Sequence, residues 1–100
     1  MRPIYLARMD KTRPVVVLTR NTVRDHRSQI TVAPITSRRR GLVSEVPVGR
    51  QNGIDQDSVI NCDNITTIDA TALGSQLGFL LDSQEEALAT AIHEAFDLDP

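Results

Sequence analysis

Apolar residues fall into short runs along most of this chain, and only the last stretch spaces them as a helix does. Pro3-Ile4-Tyr5-Leu6-Ala7 reads as a first strand, closed by a short turn at Met9-Asp10-Lys11-Thr12. Pro14-Val15-Val16-Val17-Leu18-Thr19 is a stronger one, because β-branched side chains suit the pleat. Its lack of alternation predicts burial on both faces. The polar residues from Arg20 to Arg27 are expected to hold a helical turn. Gln29-Ile30-Thr31-Val32-Ala33-Pro34-Ile35 is a third strand, and Pro34 near its end predicts an edge or a bulge. A basic loop, Thr36-Ser37-Arg38-Arg39-Arg40-Gly41, leads to a fourth strand at Leu42-Val43-Ser44-Glu45-Val46-Pro47-Val48. Asn52-Gly53 is a turn signal. Strands at residues 58–62 and 64–68 are broken near Asp63, and Leu77-Gly78-Phe79-Leu80-Leu81 is the last. Many short strands at close spacing predict a small barrel or sandwich, mainly β with α.

The end of the chain changes period. Ala87, Leu88, Ala91, Ile92, Ala95 and Phe96 form one apolar stripe, so a C-terminal helix is expected. Ser83 with Glu86 three residues later reads as its capping box. Glu85 and Glu86 sit where the helix dipole favours acid. His93 falls on the polar side as a solvated histidine.

Size and composition narrow the picture. One hundred residues suit a single domain over positions 1–100, with a core burying roughly 60–70% of the unfolded surface. So thin a core makes a homodimer the natural expectation. An apolar content of 40% excludes a largely disordered chain. Cys62 is the only cysteine, so a reducing, cytoplasmic setting is expected and Cys62 itself reads as a small core residue. No apolar run is long enough for a signal peptide or a membrane span. His26, His93 and Cys62 match no zinc spacing, so neither a metal nor another cofactor is expected.

Charge adds the sharpest asymmetry. All 11 lysines and arginines lie in residues 1–50 against three acidic residues, while residues 51–100 hold the other ten of the 13 acids and no base. A net −2 thus joins a half of +8 to a half of −10. That split reads as a charged working surface and raises the question of a polyanionic partner. Aromatic residues are few, Tyr5, Phe79 and Phe96. Stacking platforms need several exposed rings, so any RNA must be held by arginine, hydroxyls and base-edge hydrogen bonds.

Several residues carry candidate chemistry, each with an ordinary reading beside it. Arg13 precedes Pro14, which biases it to extended backbone and fixes where its guanidinium leaves the sheet. It suits bidentate phosphate recognition, or else a surface ion pair. Thr36 and Ser37 offer two hydroxyls to a phosphate, or else turn chemistry. Arg38, Arg39 and Arg40 can track a nucleic-acid backbone, or form a solvated loop. If strands two and three pair antiparallel, Arg13 and Thr36 meet at one edge of the sheet. Asp63 is a general base or an Asx-turn aspartate. Arg2, Arg8 and Arg20 read as ordinary surface.

Four segments in order then carry a family resemblance: Thr12-Arg13-Pro14-Val15-Val16-Val17-Leu18, Val32-Ala33-Pro34-Ile35-Thr36-Ser37, Asp57-Ser58-Val59, and Cys62-Asp63-Asn64-Ile65-Thr66-Thr67-Ile68-Asp69. Together they resemble the MazF/PemK toxins, and Met1-Arg2-Pro3-Ile4, residues 41–48 and residues 95–99 resemble the short-looped mycobacterial members. The resemblance spans essentially the whole chain. It implies an SH3-like β-barrel of the MazF/CcdB/Kid kind with a C-terminal helix, assembled as a homodimer. It also implies an mRNA interferase, a ribosome-independent endoribonuclease that cuts single-stranded RNA without metal and leaves a 2′,3′-cyclic phosphate and a 5′-hydroxyl. Messenger, ribosomal and transfer RNA are all eligible substrates, and a MazE-like antitoxin is the implied partner. The family's catalytic arginine falls on Arg13 and its hydroxyl partner on Thr36; Asp63 matches an aspartate proposed as base. Lys11, Ser37, Arg38, Arg39, Arg40, Asn61, Asn64 and Thr67 are the expected RNA contacts. Two departures stand out: an arginine usual two residues before Asp63 is Asn61, and the long first loop of most members is cut to Met9–Thr12. Two rivals share the fold class: a non-catalytic toxin that binds DNA gyrase as CcdB does, and an RNA-binding barrel that does not cut.

Overall fold

A computed structural model describes residues 1–20 and 26–98. Seven antiparallel strands curl into one sheet: β1 (Pro3–Arg8), β2 (Thr12–Val17), β3 (Gln29–Thr36), β4 (Glu45–Val48), β5 (Ser58–Asn61), β6 (Thr66–Asp69) and β7 (Leu73–Phe79). Helix α1 (Asp82–Ala95) closes the chain. The strand order is β4-β5-β3-β2-β1-β7, with β6 paired to β3. Short 3₁₀ turns at Arg50–Asn52, Cys62–Asn64 and Ala70–Ala72 link the later strands. This is the mainly β architecture with a C-terminal helix that the strand pattern predicts. No described helix is long and apolar enough to cross a membrane. The helical turn expected at Arg20–Arg27 falls largely on residues 21–25, outside the described residues.

The triple valine of β2 explains the curl. Val16 packs on one side of the sheet with Ile4, Ala33, Ile35 and Ile60, under Leu88 and Ala91 of α1. Val15 and Val17 pack on the other side with Ala7, Ile30 and Val32. All three valines are fully buried, so β2 is covered on both faces, as its unbroken apolar run requires.

Four expectations need correction. Pro34 does not mark an edge, because β3 is the most heavily paired strand. It pairs with β2 at residues 32–34, with β6 at residues 29–32 and with β5 at residues 35–36. Pro34 stands where β6 has ended and β5 has yet to begin, so its missing N–H leaves no ladder bond unmade on that side.

The fourth strand begins at Glu45 instead of Leu42. The Glu45 carboxylate accepts hydrogen bonds from the backbone N–H of Arg40, Gly41 and Leu42 at 2.9–3.2 Å. These bonds hold residues 40–42 in a tight loop and leave Leu42 and Val43 exposed. The last strand starts four residues early, at Leu73. Gly74, Ser75 and Gln76 are exposed and give no apolar signal, yet the segment pairs with β1.

The helix is capped at Leu81, not Ser83. Gln84 Oε1 accepts the Leu81 N–H at 2.9 Å, satisfying a donor that helix starts leave orphaned. Leu88 and Ala91 are buried and Ile92 and Ala95 half-buried, but Ala87 and Phe96 are exposed. The vacated turn of the stripe is taken by buried Gln84.

Gln84 belongs to a polar knot that fixes helix to sheet. Asn52 Nδ2 donates to the Phe79 carbonyl (2.9 Å) and to Gln84 Oε1 (2.6 Å). Asn52 Oδ1 accepts from Gly49 N (3.1 Å) and Gln84 Nε2 (3.1 Å), and Gln84 Nε2 also reaches the Pro47 carbonyl at 3.2 Å. The approach needs glycines. A Cβ on Gly53, whose φ is +82°, would lie 2.0 Å from the Leu77 carbonyl oxygen, and one on Gly78 2.4 Å from that of Asn52.

Candidate active site

Two prolines open the sheet where the site forms. The β2–β3 ladder runs Val17↔Val32, Val16↔Ala33, Val15↔Pro34 and then stops. Continued by one same-face step, it would set Arg13 opposite Thr36. Pro14 lacks an N–H and Pro34 does too, so the pairing lapses there. Beyond the lapse β3 pairs with β5 instead, Ile35↔Ile60 and Thr36↔Val59. The strands therefore splay just where Arg13 and Thr36 face each other, as the antiparallel reading of the sequence expects.

Two grooves flank this pair and share Lys11, Arg13, Thr36 and Ser37. One, of about 370 Å³, also has Arg38, Arg40, Asn61 and Asn64 on its walls, with no acidic side chain among the described residues. The other, of about 390 Å³, is bounded by the residue 53–58 loop and by apolar side chains of β1, β2, β3 and β7. The first is called the basic groove and the second the mixed groove.

Arg13 is held by its neighbour across the β1–β2 turn. Both oxygens of Asp10 accept from one terminal nitrogen of the guanidinium, at 2.9 and 3.0 Å. Asp10 is largely exposed while Arg13 is three-quarters covered. The Nε of Arg13 is buried without a hydrogen-bond partner among the described residues. The arginine thus combines an exposed, displaceable carboxylate contact with an unsatisfied donor, a combination suited to an incoming oxyanion. The Thr36 hydroxyl accepts from Arg38 N at 3.1 Å, which leaves its own proton free to donate. That same bond fixes the start of the arginine loop, and the Glu45 carboxylate fixes its end.

Three expected residues lie elsewhere. Asp63 lines neither groove; its carboxylate accepts from the Ser44 hydroxyl at 2.6 Å. Its N–H is bound by Asn61 Oδ1 at 3.0 Å, an Asx-type cap on the 3₁₀ turn. Arg39 turns away to a shallow depression and stands 3.8 Å from Asp57. Thr67 bonds Thr31 across the β3–β6 pair at 3.1 Å, in a hollow with Arg20 and Arg27. Arg2 is more than surface: it is half-buried and donates to the Leu18 carbonyl at 2.8 Å. Cys62 is fully buried; burial first and the Asp63 charge second push its thiol up to about 11, so it is no nucleophile near neutrality.

Sequence reasoning gave no role in the site to Glu45, Asp55 or Gln56. Asp55 and Gln56 line the mixed groove only because β5 joins β3, a pairing that no local pattern announces. Glu45 acts at short range, and the exposed glycine before it, Gly41 with φ +72°, was the available sign of a tight loop.

Comparison with known proteins bears on all of this. The family described as PemK-like, MazF-like toxin of type II toxin–antitoxin system matches residues 3–96. Endoribonuclease MazF3 of Mycobacterium tuberculosis is 59% identical over 99 residues, covering 99% of this chain and 96% of that protein. The solved structure of Mycobacterium tuberculosis toxin MazF-mt6 superposes with a TM-score of 0.97 at 57% identity, covering 99% of this chain and all of that one. An endoribonuclease in complex with its cognate antitoxin, from a mycobacterial species, shares the fold at 23% identity and a TM-score of 0.87, covering 98% of this chain and 94% of its own.

Proposed function

The chain belongs to the PemK-like, MazF-like toxins of type II toxin–antitoxin systems and is an endoribonuclease of that kind; from that premise we propose that it cuts single-stranded RNA at a short sequence, without a metal ion, through Arg13 and Thr36. The observation that carries the reading is their convergence between two grooves, one of them walled by Lys11, Arg38 and Arg40 with no acid among the described residues. The RNA backbone lies in that basic groove. The attacking 2′-hydroxyl gives up its proton to solvent water and closes on its own phosphorus, the P–O5′ bond breaks, the leaving oxygen takes a proton from water, and the products are a 2′,3′-cyclic phosphate and a 5′-hydroxyl. Charge grows on the non-bridging oxygens as the phosphorane forms. Arg13 meets it with a guanidinium already oriented by Asp10, so little reorganisation is needed as the charge develops. Thr36 donates a hydrogen bond from its free hydroxyl to a second non-bridging oxygen and keeps its proton. Asp63 serves the 3₁₀ turn in this scheme and takes no proton from RNA.

Cleavage of cellular RNA stops translation and growth, and an antitoxin restrains it. An acidic antitoxin segment would compete for the same cations. Phe79 and Leu81 before α1, with Phe96 and Leu98 after it, are 40–55% exposed and supply apolar surface for a second copy. The test is incubation of the purified protein with end-labelled single-stranded RNA in EDTA, beside Arg13→Ala. Cleavage to cyclic-phosphate ends by the parent alone is expected. Absence of cleavage by the parent would sink the enzyme scheme, and persistence in the variant would sink the site.

A further inference from the structure

We propose that the mixed groove is a nucleobase subsite in which Asp55 and Gln56 read the edge of an amino-bearing base beside the cleaved phosphate. The inference rests on the phosphate position assigned above to Arg13 and Thr36. Because both grooves share those two residues, a phosphate held there has one groove on each side. The nucleotide's charged and uncharged parts must divide between them.

The walls decide the division. The basic groove has cations and, among the described residues, no acid, so it takes the backbone. The mixed groove carries Asp55 on its rim, and a carboxylate repels a second phosphate. Its remaining walls include the apolar side chains of Leu6, Pro14, Ile35 and Leu77 beside the hydroxyl of Ser58. A flat heterocycle leaves water readily against such walls. None of the chain's aromatic rings lines it, so aliphatic side chains replace the usual stacking platform. At about 390 Å³ the groove falls within the range of roughly 300–1,000 Å³ typical of small-ligand sites.

The chemistry of Asp55 then selects the base. An ionised carboxylate only accepts hydrogen bonds. Cytosine, adenine and guanine each present an exocyclic amino group. Uracil presents a single N–H between two carbonyl oxygens, which face the carboxylate unfavourably. Gln56 can donate or accept, so it tolerates whichever ring atom adjoins the amino group. The short Met9–Lys11 connection between β1 and β2 keeps the entrance open. Asp55 makes no ion pair with another described residue, so its carboxylate is available to a base.

The test compares the parent, Asp55→Asn and Asp57→Asn on RNA oligonucleotides varied one position at a time around the cut. Asp57 supplies the control: it carries the same charge in the same loop but lines the depression beside Arg39 instead. Single-turnover cleavage is measured for the ribose oligonucleotides, and anisotropy for 2′-O-methyl versions that cannot be cut. At one position next to the cut, the parent should favour amino-bearing bases over uracil by roughly tenfold or more. Asp55→Asn should collapse that ratio in both readouts and leave the ratios at other positions intact, while Asp57→Asn keeps all of them. Equal changes in both variants, or an unchanged ratio in Asp55→Asn, overturn the subsite. A parent that binds and discriminates without cutting supports the subsite while refuting the cleavage scheme. A parent that cuts without such discrimination does the reverse.

Discussion

Asn52 and Arg13 are both polar side chains drawn into the body of a small β protein, and they are treated in opposite ways. Every polar atom of the Asn52 side chain is engaged inside the protein, by Gly49, Phe79 and Gln84, and the residue is fully buried. Arg13 keeps one donor buried without a partner and another on an exposed carboxylate. A satisfied buried network rigidifies, and a buried donor left without a partner calls for a reason, which for Arg13 is the chemistry proposed above. The difference teaches where this molecule keeps its stability and where it keeps its reactivity. Removing the first should loosen the fold with the chemistry intact, and removing the second should do the converse.

Arg13→Ala is the largest expected effect. Loss of a preorganised donor to a developing oxyanion slows the chemical step about 100- to 1,000-fold. The variant should unfold at the same denaturant concentration as the parent or a higher one, because an unsatisfied buried donor leaves with the side chain. A drop in midpoint as large as the rate loss would erase the comparison. Asn52→Ala is the counterpart. It strands the Phe79 carbonyl and the Gly49 N–H and takes one of two partners from each end of the Gln84 amide, and should lower stability by about 3 kcal/mol. Its single-turnover rate, normalised to folded protein, should stay within about threefold of the parent. Urea melts and cleavage assays on both variants fill the four cells of the test.

The two regions were unequally legible. The Arg13–Thr36 meeting follows from two neighbouring strands, each rich in valine or isoleucine and each with a proline toward the end nearest the site, so local patterns suffice. The knot joins residues 32 apart in sequence, through a cap that looks from the sequence like Ser83 with Glu86. Gln84 gave no sign, because a buried glutamine inside an amphipathic stripe reads as an interruption of it. Gly53 and Gly78 read as a turn and a strand glycine, yet each is needed because the two backbones touch. Asp63 was open to two readings from the sequence, general base or turn aspartate, for a related reason. Its neighbours Cys62 and Asn64 flank it in sequence as they would a catalytic residue. The 3₁₀ turn aims Cys62 into the core and Asn64 at the basic groove, and leaves Asp63 with Ser44.

That turn supplies a smaller test from the buried side. The Cys62 thiol titrates near 9 when unfolded and is pushed up to about 11 when folded. Between those values the folded state holds a proton that the unfolded chain has lost. Stability is therefore complete below about pH 9 and falls as pH rises through the folded value. The contribution lost by pH 10 is on the order of 1 kcal/mol. Urea midpoints of the parent and Cys62→Ala should run parallel from pH 6 to 8 and converge from pH 9 to 11. Parallel curves throughout would mean that the sulfur reaches water, and that the turn does not separate core from groove.

Glu45 tests the groove side with the smallest effect and the clearest sign. Its carboxylate gathers the N–H groups of Arg40, Gly41 and Leu42 and so shapes the loop that brings Arg38 and Arg40 to the basic groove. Electrostatics alone predicts that Glu45→Gln, which deletes an anion beside a cationic surface, tightens RNA binding. Positioning predicts the opposite, because the amide accepts more weakly than a carboxylate and sets its own N–H₂ against backbone donors. The expected result is affinity weakened about fivefold, close to 1 kcal/mol, for a 2′-O-methyl RNA read by anisotropy. The loss should be alike for every RNA sequence, since phosphate contacts orient without specifying. Arg38→Gln gives the reference, lowering the slope of log affinity against log salt by about one. Glu45→Gln should change affinity with less change of slope, because the cations remain and only their placement is relaxed. Tighter binding by Glu45→Gln would show that the loop keeps its shape without its carboxylate, and the groove would then owe its form to Thr36 and the strand ends alone.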